Sequence, residues 1–113
     1  MVDLDFQEKF RHIIKKIEET GIAYSEAKGQ SYQMQELKGS VLASLMQNYG
    51  DLPVSQREIQ SKASEDYKKH IQETSEAIKK ELRLKAEYEK WRCSFEALRS
   101  LSSLEKSTRN LVD

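Results

Sequence analysis

Proline occurs once in this 113-residue chain, at Pro53, and glycine four times, so only one position forbids helix outright. Cysteine also occurs once, at Cys93, which excludes an internal disulfide. The two histidines, His12 and His70, are far apart and have no ligand spacing around them, so no metal site is expected. Charge of one sign is lacking too: 19 basic and 19 acidic residues give a net charge of zero, and the total confers no general affinity for nucleic acid. No run of about 18 consecutive apolar residues occurs, and the opening MVDLDFQEKF carries no basic leader. The expectation is a cytoplasmic protein with no membrane span. HExxH, a glycine-rich phosphate loop and a Cys-His arrangement are all missing, so the chain reads as a non-enzyme with no cofactor and no small-molecule substrate.

What is present favours helix. With 37% hydrophobic and 34% charged residues, the chain is too polar for a thick enclosed core, and its Ala-, Leu-, Gln- and charge-rich segments suit an all-α fold. Apolar residues at Phe6, Phe10, Ile13, Ile14 and Ile17 recur three and four apart. The phase continues through Tyr24, Ala27, Ser31 and Met34 to Val41 and Leu45, predicting a helix over about 3–48. Gly21, Gly29 and Gly39 weaken it by roughly 1 kcal/mol each, and a break at Gly29 is the alternative. YGDLP predicts a stop, with Gly50 as a left-handed cap and Pro53 just beyond.

After the proline, two serines compete to open a helix. Ser55 with Glu58 matches a capping box, with Val54 and Ile59 placed for a hydrophobic staple. Ser64, followed by Glu65 and Asp66, would start a separate helix after a short one ending near Ala63. The expectation adopted is one helix over about 56–104, capped by Ser55 and Glu58, with a loop at 49–55 and a frayed C-terminal tail. Its apolar pattern runs Ile71, Thr74, Ile78, Leu82, then one step out of phase as Leu84, Tyr88, Trp91, Phe95, Leu98 and Leu101. Two matched rods make a long antiparallel, coiled-coil-like helical hairpin, a single domain over 1–113. Two offset apolar phases exceed what one seam needs, so a homodimer forming a four-helix bundle is expected.

Two clusters are candidate sites. His70 with Glu73 or Asp66 lies at helical contact spacing, which a solvated helix face also explains. Tyr88, Trp91 and Phe95, interleaved with Lys85, Lys90, Arg92 and Arg99, resemble a base-stacking surface with phosphate contacts. The same aromatics, with Leu98, form the stripe a helix buries against a partner, the basic side chains then lying outward beside it. From Lys79 to Arg109, nine basic residues face five acidic ones, a local +4.

The segments SQREIQSKASEDYKKHIQETSEA and FEALRSLSSLEKS resemble small helical proteins of tailed phages and prophages, often encoded among recombination and replication genes. The shared pattern maps to Arg57-Glu58, Ala63-Ser64, Tyr67, His70 and Phe95 to Ser100, with Leu98 where that family has tryptophan. The resemblance implies a phage setting and a non-enzymatic accessory role in DNA recombination or replication, through DNA or a recombination protein. A helical interaction module that modulates a host nuclease or defence complex is the alternative.

Overall fold

The computed structural model describes residues 4–112. They form three α-helices and no strand: α1 (Leu4–Met46), α2 (Val54–Ala63) and α3 (Glu65–Val112), with a 3-10 turn at Gln47–Tyr49 after α1. The expected start of the first helix at Asp3 lies outside the described residues. The chain divides into two units. One joins residues 1–24 with 83–113, and the other spans 25–82.

α1 runs without a break through all three of its glycines. In the first unit Phe6, Phe10, Ile13, Ile17, Thr20 and Tyr24 are buried or half-buried, and in the second Ala27, Ser31, Met34, Val41 and Leu45 are. Steps of three, four or, from Met34 to Val41, seven keep these residues on one stripe with the 3.5-residue period of a coiled coil. α1's second-unit seam begins with small residues: Ala27 and Ser31 are closed to solvent, and Gln35 Nε2 donates to Ser31 Oγ at 3.0 Å. Small side chains let two backbones approach, and the helix tolerates glycine because tertiary contact, not propensity, holds it. Gly21 shows why directly, since a Cβ there would lie 3.2 Å from Tyr88 Cε2.

The junction between α1 and α2 differs from expectation. Gly50 is right-handed, with φ −55° and ψ −22°, and no glycine adopts positive φ among the described residues. The last turn instead tightens into the 3-10 turn, and Leu52 N donates to Tyr49 O at 3.0 Å. Ser55 and Glu58 form no capping box. α2 starts two residues earlier, at Val54, because the fixed φ of Pro53 presets the entry and its carbonyl accepts from Arg57 N at 2.9 Å. Ser55 is therefore already helical, Glu58 pairs with Lys62 at 2.9 Å, and Val54 and Ile59 are exposed, with no staple. The nearby Glu58 carboxylate, hydrogen-bonded to the Lys62 ammonium, raises that group above its ordinary value.

Ser64 opens the long helix, so the single helix over 56–104 is corrected to two. Its backbone is extended, at φ −70° and ψ 151°. Its hydroxyl accepts from Tyr67 N at 3.3 Å and donates to Ser61 O at 2.6 Å. Glu65 and Asp66 then fill the first turn, favourable against the helix dipole. α3 continues to Val112, past the expected fraying point. Ser64→Ala should cost about 0.5–2 kcal/mol, whereas Ser55→Ala should be nearly neutral; urea unfolding of the two variants distinguishes the caps.

The two offset phases of α3 resolve into one seam. Tyr67, His70, Thr74, Ala77 and Glu81 are buried or half-buried in the second unit, as are Leu84, Tyr88, Trp91, Phe95 and Leu98 in the first. Ile71, Leu82 and Leu101 are exposed beside it. The apparent slip came from following apolar residues where the seam itself is polar.

Candidate interaction surface

In the first unit the aromatic stripe of α3 meets α1. Phe95 stands edge-on to Phe10 with centroids 5.6 Å apart, and Trp91 edge-on to His12 at 5.5 Å. Tyr88 lies 6.1 Å from Tyr24. As residue numbers rise along α1 in these contacts they fall along α3, so the helices of this unit are antiparallel. Tyr88, Trp91, Phe95 and Leu98 are all half-buried. Trp91 Nε1 is closed off without a hydrogen-bond partner, so the ring serves as apolar surface. Each of these rings thus makes a packing contact with α1 within its own unit.

The flanking cations are exposed, and two of them lean on the rings instead of pointing outward. Lys90 Nζ sits 4.6 Å from the Trp91 centroid, and Arg92 Cζ 5.7 Å from that of Tyr88. Lys85, Arg92, Arg99 and Lys106 recur every seven residues, forming one exposed row along α3 at steps of about 10.5 Å. Glu89 and Glu96 interleave with that row, and Arg99 pairs with Glu96 at 3.9 Å. The first unit as a whole carries eleven basic and ten acidic residues, a net +1, since Lys79 and Lys80 of the +4 stretch fall in the second unit and the start of α1 is acidic. Cys93 is exposed on the same helix.

The second unit corrects the reading of His70. It does not lie on a solvated face with Glu73 or Asp66; its Nε2 donates to the Met34 carbonyl of α1 across 3.2 Å. The spacing of Ser64, Tyr67 and His70 thus has a structural content: Ser64 caps α3, Tyr67 is buried, and His70 ties α3 to α1. Sequence spacing holds the signal, since residues 67, 70 and 74 continue the 3.5-residue period. Among the described residues no group of three His, Cys, Asp or Glu side chains is placed to hold a metal, and no helix is long and apolar enough to cross a membrane.

The uncovered surface is apolar as well as charged. Ile14, Ile22, Leu101 and Leu104 are exposed in the first unit, and Tyr32, Leu37, Val54, Ile59, Ile71 and Leu82 in the second. None of the family models, curated proteins or solved structures compared with the chain matches it.

Proposed function

We propose that the chain is a non-enzymatic docking protein of a phage or prophage, acting in the bacterial cytoplasm as a homodimer that binds another protein. The dimer pairs two helical hairpins as a four-helix bundle. The partner is a recombination or replication protein, or a host nuclease or defence complex that the helices modulate. Surface area carries this reading. The chain exposes 8758 Å², against about 6,400 Å² for a folded monomer of its mass. Its buried apolar side chains among the described residues are only Ile13, Ala27 and Tyr67. A chain that leaves so much surface uncovered and so little enclosed gains stability by binding, since partners that engage only the folded form shift the equilibrium toward it.

DNA binding is the second reading, favoured by the cation row of Lys85, Arg92, Arg99 and Lys106. Interleaved carboxylates and a net +1 weaken it, because phosphate contact depends on an uncompensated positive field. A straight row also diverges from a duplex strand, which winds around its axis. Fluorescence anisotropy of labelled duplex and single-stranded DNA at low salt should show no saturable change. A saturable rise that falls steeply with added salt, and disappears when Lys85, Lys90, Arg92 and Arg99 are changed to glutamine, would move the function to nucleic acid.

A further inference from the structure

Ser64 is the single residue that separates α2 from α3. Nothing in the sequence compels a break there, because residues 54–112 contain neither glycine nor proline and so tolerate helix throughout. The φ of Ser64, −70°, is already helical, and only its ψ of 151° departs from the roughly −42° of an α-helix. Rotation about one bond therefore separates two helices from one.

The bent joint sets α2 with its polar side inward. Ser61 is buried, Arg57 and Glu58 are half-buried, and Ile59 stays 66% exposed. Ser61 Oγ is closed off without a hydrogen-bond partner, which is costly for a polar group. A continuous helix exchanges the two sides. Gln56, Ile59 and Ala63, all exposed in the bent form, precede Tyr67 at steps of three, four and four, so they join the face on which Tyr67 meets the seam. The amides of Glu65, Asp66 and Tyr67 then donate to the carbonyls of Ser61, Lys62 and Ala63, in place of the tight bond from Ser64 N to Ser61 O at 3.1 Å. Against these gains stands the Ser64 cap, whose hydroxyl accepts from Tyr67 N at 3.3 Å and donates to Ser61 O at 2.6 Å.

We infer that Ser64 is a two-state joint: the bent form exchanges with a straight one in which a single helix spans 54–112, with Ser61 turned to water and Ile59 and Ala63 turned to the seam. The Ser64 hydroxyl holds the bent form, and the unpaired Ser61 hydroxyl and the exposed Ile59 oppose it. The joint is a property of the chain alone and does not depend on the docking reading above. A partner that touches both α2 and α3 binds the two shapes unequally, and so shifts the joint.

Pulsed dipolar spectroscopy on the full chain measures the two forms, with spin labels at Ser55→Cys and Glu73→Cys and the exposed Cys93 changed to serine. Both labelled positions are exposed and lie about five turns apart in a continuous helix, so the straight form gives about 27 Å. The bent form gives a separate, shorter distance. Ser64→Ala should raise the ratio of straight to bent about fivefold, the factor that a typical lost N-cap represents. Ser64→Asp, which keeps a capping acceptor, should leave the ratio near that of the Ser64 chain. Adding Ser61→Ala to Ser64→Ala should lower the ratio again, because it removes the unpaired hydroxyl from the bent form. The short distance alone in both the Ser64 and Ser64→Ala chains, with full helix content by circular dichroism, would overturn the joint. Loss of helix content in Ser64→Ala would overturn it too, since a straight form close in energy keeps that chain folded.

Discussion

Tyr67→Ala is expected to cost about 3–5 kcal/mol and to leave the chain only marginally folded at room temperature. Tyr67 is 8% exposed and is the largest of the three buried apolar residues among those described. It stands in the first turn of α3, where its amide donates to the capping Ser64 hydroxyl and His70, one turn on, donates to Met34 O. Removing the ring opens a void where cap, helix start and helix-to-helix contact meet. Folded domains hold only about 5–15 kcal/mol in total, and a core this thin places the chain toward the lower end. Tyr67→Phe keeps the ring and should stay within about 1 kcal/mol. Urea unfolding monitored at 222 nm, a wavelength sensitive to helix, measures both; a small loss for Tyr67→Ala would show that the ring is not enclosed.

Two adjacent isoleucines should behave oppositely. Ile13 is 7% exposed and lies on the α1 seam, whereas Ile14 is 52% exposed beside it. Ile13→Ala should cost about 2–5 kcal/mol through lost transfer energy and the cavity left behind. Ile14→Ala should fall within about 0.5 kcal/mol, as surface substitutions do, helped by alanine's better helix propensity. The comparison holds residue type and local helix constant, so the difference reports the phase of the helix alone. Equal costs would mean that the seam is rotated from the one described.

α1 was readable from its sequence because its seam is apolar at Phe6, Phe10, Ile13 and Ile17 and keeps the same period where it turns small and polar. Its three glycines argued for a break that tertiary contact overrides. The start of the long helix was not decidable locally, since Ser55-Glu58 and Ser64-Glu65-Asp66 both satisfy capping rules. Pro53 settles the matter by starting α2 at Val54, which leaves Ser55 inside a helix and Ser64 extended between α2 and α3. The phase of α3 is concealed for a related reason: His70, Thr74, Ala77 and Glu81 face inward while Ile71 and Leu82 do not. Hydrophobicity alone points to the wrong face there. Exposure of Lys85, Lys90, Arg92 and Arg99 followed from helical position. The placement of Lys90 and Arg92 over Trp91 and Tyr88 depends on rotamers that spacing does not specify.

The central claim, that this chain completes its folded state by binding, is tested most directly by thermal unfolding of the unaltered protein over a hundredfold range of concentration. Association that engages only the folded chain makes the midpoint depend on concentration, so the midpoint should rise steadily with protein concentration. A midpoint that stays constant across the whole range, with full helix content at the lowest concentration, would contradict the account.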